Sequence, residues 1–344
     1  MVTKIRNSNL ELYRIIVMLL IVAHHYVVNS GLIPIMQESP LSKQSIYFHI
    51  FGAWGKTGIN CFVLITGYFM CKSQASKFKF FKLLFEVFFY VIIIYFIFVI
   101  TGYETITLKT LENLNPIKDI ASNFVGCFLV FYLSIPYLNI LIHNLDKRKH
   151  KLLIGLGLFI YTFHGTIPHT NVVMNYVSWF IVLYFISSYI RLYPNKYDKN
   201  IQFWKRGLFL CIFLSIISII AILCINENCR TNITPYKYVS DSNAILALCT
   251  SIFSFMYFKN IQIPYNKWIN IIGGSTFGVL LIHANSDTMR KWLWQDTFNN
   301  IGHYYDDFFW LYPIIVIVTI FILCTIIDRI RISYIEKPLL RFFE

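Results

Sequence analysis

Charged side chains are scarce in this 344-residue chain: Asp, Glu, Lys and Arg together make up 14% of it, against roughly a quarter in an ordinary globular domain. Acid is scarcer than base, with 17 Asp and Glu beside 30 Lys and Arg. With 57% apolar residues the chain cannot cover a water-facing surface, so lipid must be its main solvent. C-x-x-C pairs and Cys/His ligand spacings are missing, which leaves no sequence grounds for a metal site. The eight cysteines lie mostly inside apolar runs (Cys61, Cys127, Cys211, Cys249, Cys324), as small packing residues do. A disulfide between Cys224 and Cys229 stays open. The N-terminus MVTKIRNSNLELYR lacks a small-residue cleavage site after a short apolar core, so the first apolar run reads as a retained span. Repeats, low-complexity tracts and linkers are absent as well. The longest polar intervals, 102–118, 226–242 and 286–307, are too short for a soluble domain.

What is present is a series of apolar runs. A bilayer core of about 30 Å takes about 20 helical residues. On that measure ten segments qualify, near 10–28, 46–70, 80–101, 119–142, 151–166, 175–193, 207–225, 243–258, 268–285 and 308–327. The expected fold is all-α: one polytopic bundle over 1–344, with both termini cytoplasmic. The basic residues test this threading. With ten crossings, 21 of the 30 Lys and Arg fall on the inside, clustered at 72–82, 147–151 and 191–206, and seven fall outside. That is the asymmetry of the positive-inside rule, and an odd number of spans would scramble it. The net charge of +13 therefore suits loops at an anionic leaflet and membrane lipids as partners, rather than nucleic acid.

A charge or an imidazole at membrane depth is costly, so each is a functional candidate. Arg14 and His25, in LELYRIIVMLLIVAHHYVV, are eleven residues apart. That is about 16 Å and close to three helical turns, so both project from nearly one face. Arg14, near the cytoplasmic end, suits an anionic group such as a phosphate. His25, deeper toward the outside, suits a general base, while His24 is turned about 100° away. A snorkelling Arg and a His bonded to a neighbouring helix are the plainer readings. In FGAWGKTGINCFVLITGYFM, Gly52, Gly55, Gly58 and Gly67 permit close approach of a backbone or a narrow substrate, and Lys56, Asn60 and Thr66 add polarity. In GGSTFGVLLIHANSD, His283 lies near the outer end of the ninth run. The tail SYIEKPLLRFFE is amphipathic and basic, and suits the inner membrane surface. Trp54, Trp179 and Trp310 stand at polar/apolar borders, where belt residues lie and where a sugar could stack.

These pieces, in this order, resemble the acyltransferase family 3 of integral membrane proteins. Arg14, ten residues and His25 match the family's opening signature. GKTGINCFVLITGYF resembles its glycine-rich F-x-x-S-G segment, with Thr66 in place of the usual Ser and Asn60 where Asp is commoner. FGVLLIH, ending at His283, and the pair Glu336 and Pro338 match two later motifs. The resemblance covers essentially the whole chain.

It implies transfer of an acyl group, usually acetyl from acetyl-CoA, to a hydroxyl of a surface polysaccharide or lipid-linked sugar. By the same resemblance the Arg14 position holds acyl-CoA arriving from the cytoplasm, and the His25 position is catalytic. Acetyl-CoA would be a substrate, with no permanently bound cofactor. Acyl transfer also needs a donor for the developing oxyanion; Lys56, Asn60, Thr66 and His283 are the candidates for that or for substrate contact. The extracytoplasmic domain that some members carry is not expected here, which leaves room for a separate extracytoplasmic partner. A bacterial plasma membrane is the implied location. Transfer of another group such as succinyl, or polysaccharide export without transfer, are the alternatives.

Overall fold

The computed structural model describes residues 7–73, 76–112, 114–116, 123–167, 172 and 174–341, apart from the side chains of Lys109, Leu340 and Arg341. Lys4, Arg6 and Lys118, which entered the charge count, lie outside the described residues. Every regular element among them is helical. Twelve helices carry the architecture: α1 Ser8–Asn29, α2 Lys43–Phe51, α3 Gly55–Met70, α4 Lys77–Ile100, α5 Phe124–His143, α6 Lys147–Leu158, α7 Tyr176–Leu192, α8 Ile201–Cys229, α9 Ile245–Asn260, α10 Lys267–Gly273, α11 Thr276–His283 and α12 Tyr312–Arg331.

Local chemistry marks several starts. The side chains of Asn123, Asp146, Asn175 and Asn266 accept hydrogen bonds from the first exposed backbone N–H groups of α5, α6, α7 and α10. Five helices are long and apolar enough to cross a membrane: Ser8–Asn29, Lys77–Ile100, Phe124–His143, Ile201–Cys229 and Tyr312–Leu339. Large apolar side chains stand exposed along them, such as Phe81, Phe96 and Ile97 of α4, a surface that suits lipid.

Two expected spans are interrupted and a third changes its winding. The run 46–70 is divided into α2 and α3 by a turn at 52–54, because the Gly52 carbonyl is taken by the His24 Nδ1–H at 2.7 Å instead of by the helical ladder. The run 268–285 is divided at Gly274–Ser275 into α10 and α11. The run 151–166 passes from α6 into a wider π-helical turn at Phe159–Phe163. The tail has one exposed and one buried side, with Tyr334 on the first and Glu336 on the second. Glu336 is 2% exposed, its Oε2 receiving the Arg331 Nη1–H at 2.6 Å, and Arg331 also pairs with buried Asp328 at 2.9 Å. A buried guanidinium is satisfied only by such partners, and these hold the end of α12. Cys224 and Cys229 are both free thiols.

The chain folds as two compact units interleaved in sequence. The first comprises Met1–Gly55, Ile220–Ile233 and Ile261–Glu344; in it α1 packs against α10, α11 and α12. The second comprises Lys56–Ile219 and Thr234–Asn260; in it α7 packs against α5 and α6.

Candidate functional site

The first unit holds Arg14, His25 and His283. Two glycines set its geometry. A Cβ at Gly273 would stand 2.6 Å from Glu11 Oε2, and one at Gly278 would stand 2.3 Å from Asp328 Oδ1. Neither carboxylate could keep its place beside a larger residue. The glycines thus seat α10 and α11 against α1 and α12, and α11 delivers His283 to α1.

There the His25 Nδ1 and His283 Nε2 atoms are 2.9 Å apart, with ring centroids at 5.0 Å. His283 is fully buried, and its Nδ1 is 2.6 Å from the Val279 carbonyl oxygen. A carbonyl only accepts, so His283 Nδ1 carries the proton. In a neutral His283, Nε2 then has a lone pair and receives the His25 Nδ1–H. The protons are ordered along this chain, and the basic lone pair of His25 is consequently on Nε2. His25 itself is half-buried. His24 faces another way, as its Gly52 bond requires, and its ring fills the space that a Cβ on Gly55 would occupy.

Eleven residues toward the N-terminus, Arg14 donates through Nη1 to Glu11 Oε1 at 3.0 Å. The Arg14 side chain is 24% exposed and that of Glu11 only 7%. Glu11 did not figure among the sequence candidates. Its signal is its spacing: residues three apart on a helix are neighbours, and an acid three residues before a basic partner is well placed to orient it.

The second unit holds the other candidates, in a different condition. Lys56 donates through Nζ to the Tyr176 hydroxyl at 2.6 Å. Asn60 is fully buried and engaged at both ends of its amide: Nδ2 donates to the Ser242 carbonyl at 2.7 Å, and Oδ1 accepts the Trp179 indole N–H at 2.9 Å. Trp179, proposed as a sugar platform, has no exposed face at all, while Trp310 is 47% exposed. Thr66 donates to the Phe62 carbonyl one turn back at 2.9 Å. Among the glycines expected to admit a backbone or substrate, Gly67 in this unit meets Ser187, and Gly52 and Gly55 in the first unit meet Val27 and His24. No group of three or more potential metal ligands occurs among the described residues.

The model of a protein family described as an acyltransferase domain matches residues 7–329. No curated protein and no solved structure matches the chain.

Proposed function

Since this chain belongs to acyltransferase family 3 over nearly its whole length and is a multi-pass membrane acyltransferase, we propose that it moves an acetyl group from cytoplasmic acetyl-CoA to a hydroxyl of a cell-surface or lipid-linked glycan. One observation carries the chemistry: the proton order from the Val279 carbonyl through His283 to His25, which leaves the His25 lone pair on Nε2.

In this reading Nε2 removes the acceptor hydroxyl proton as that oxygen attacks the thioester carbonyl. The carbon–sulfur bond breaks, the thiolate of coenzyme A takes the proton back from the imidazolium, and His25 returns to its starting tautomer. Acetyl ester and free thiol are the only products. His283 acts as the positioning residue. It fixes the His25 ring and accepts the Nδ1–H whether His25 is neutral or charged, the service an orienting acceptor gives any catalytic imidazole. Arg14, oriented by Glu11, binds a phosphate of the donor. The length of about three helical turns between Arg14 and His25 suits the extended pantetheine arm joining those phosphates to the thioester.

Ten crossings with cytoplasmic termini, supported by the 21 to seven distribution of basic residues, put Arg14 at the cytoplasmic end of α1 and His25 toward the opposite face. Donor and acceptor thus approach one site from two sides of the membrane, here taken as a bacterial plasma membrane. The test is His25→Ala in the purified full-length protein, with free thiol release from acetyl-CoA as the readout and thermal melting as the control for folding. A general base contributes about 10²–10⁴-fold, and a loss of that size is expected. Full thiol release by the folded variant overturns the catalytic assignment. In a deletion strain, mass spectrometry should find surface glycan present but lacking acetyl esters; absence of the glycan itself would favour export.

A further inference from the structure

At the outer end of α1 the first unit buries a second polar group that the mechanism does not use. Asn29 is four residues beyond His25, one turn farther along nearly the same face of α1. Trp294, in the π-helical turn Trp292–Thr297, has no exposed surface, and its ring packs edge-on against both His283 (6.4 Å between centroids) and Tyr26 (5.9 Å). Asn300 is equally buried. Three hydrogen bonds tie these residues together. Gln295 Nε2 donates to the Asn29 carbonyl at 3.0 Å, Asn300 Nδ2 donates to Ser30 Oγ at 2.7 Å, and the Asn300 backbone N–H donates to the Trp294 carbonyl at 3.3 Å.

Within this knot, three side-chain atoms are buried with no protein partner: Asn29 Nδ2, Trp294 Nε1 and Asn300 Oδ1. Leaving a buried donor or acceptor unmade is costly, and lipid supplies nothing to satisfy it. Their chemistry is specific. All three are uncharged, so the group has no counter-charge for a phosphate or a carboxylate. Two are donors and one is an acceptor. An oxygen that both accepts and donates, the hydroxyl of a polyol, matches such a set, whereas a carbonyl oxygen would leave Asn300 Oδ1 unmet. Asn29 as a residue is half-buried, while its Nδ2 atom is covered.

We infer that Asn29, Trp294 and Asn300 form the acceptor subsite, binding a hydroxyl of the glycan next to the one that His25 deprotonates. This inference rests on the acyl-transfer reading and adds to it the residues that choose a hydroxylated acceptor over water. The same donors and acceptor would also hold an ordered water, and the experiment separates the two.

The probe is glycerol, the smallest polyol, added to purified full-length protein in glycerol-free nanodiscs with acetyl-CoA. The readout is the ratio of glycerol-dependent to water-dependent thiol release. In the native protein glycerol should raise thiol release and yield acetylglycerol. Trp294→Phe, which removes the N–H but keeps the ring, and Asn29→Ala should each lower the ratio at least fivefold. An unchanged ratio in both, or no glycerol response in the native protein, reduces the group to an ordered-water site and overturns the inference. Folded variants that lose all thiol release assign the residues to the histidine pair and overturn it as well. If His25→Ala retains thiol release, it is the acyl-transfer reading that fails, so the two failures are distinct.

Discussion

Both units bury polar side chains among apolar helices, yet the candidate residues of the two are engaged in opposite ways. In the second unit the candidate side chains are consumed by packing contacts. Asn60 is clamped between Ser242 and Trp179, and Thr66 turns back on its own helix. In the first unit the hydrogen bonds run in one direction, from a backbone carbonyl through His283 to a half-buried His25. A polar residue in a span is a functional candidate because it is expensive, but the expense is met equally by a rivet and by a reactive group. What separates them is whether the bonds close within the packing or set the proton order of a half-buried imidazole.

The sharpest way to break that contrast is at His283. His283→Phe keeps a flat ring but removes the acceptor for the His25 Nδ1–H, so either His25 tautomer becomes accessible. Thiol release should fall about 10–100-fold in kcat with little change in the KM for acetyl-CoA. His283→Gln, which restores an acceptor oxygen, should recover part of the loss, and the pH profile should differ between the two variants. A merely structural His283 would lower melting temperature in both and leave the pH profile alone.

Arg14 is next in size. Arg14→Ala should raise the KM for acetyl-CoA about tenfold, with Arg14→Lys intermediate because an ammonium cannot reproduce the forked contact. Unchanged donor affinity would return Arg14 to a role in packing with Glu11. The corresponding experiment in the second unit is one of stability. Asn60→Ala strands the Trp179 N–H and the Ser242 carbonyl and should destabilise the folded protein by about 1–3 kcal/mol. Melting in detergent, compared with thiol release per folded molecule, reads both quantities. A drop in activity without a drop in melting temperature would make Asn60 a reactive-site group and erase the difference between the units.

The sequence displayed the helical class and the spacing of Arg14 and His25, because apolar run length and helical spacing are local quantities, and its motifs resembled those of the family. It also displayed His283 as a candidate, though not its partner. That contact joins residues 258 positions apart, and no spacing rule reaches so far. The breaks within 46–70 and 268–285 were hidden for a related reason: hydropathy averages over a window, whereas the break at 52–54 depends on one imidazole from α1 reaching one carbonyl. The motif at Glu336 and Pro338 named the acid but not its burial against Arg331. Trp179 looked like a platform because a border position along the chain does not reveal that other helices enclose the ring.

The smallest expected effect belongs to Thr66. Its hydroxyl bonds to the Phe62 carbonyl, a carbonyl that already serves the helix, so the extra bond adds little and tends to bend the helix. Alanine is the better helix former by a few tenths of a kcal/mol. The two effects oppose each other, and Thr66→Ala should change stability by less than about 0.5 kcal/mol and thiol release by less than about twofold. The measurement has its value in the direction of surprise. If Thr66→Ala lost an order of magnitude in thiol release while melting as the native protein does, the hydroxyl would be leaving Phe62 to meet substrate during turnover. The second unit would then share in the chemistry, and closed local hydrogen bonds in a resting structure could no longer be read as the mark of a rivet.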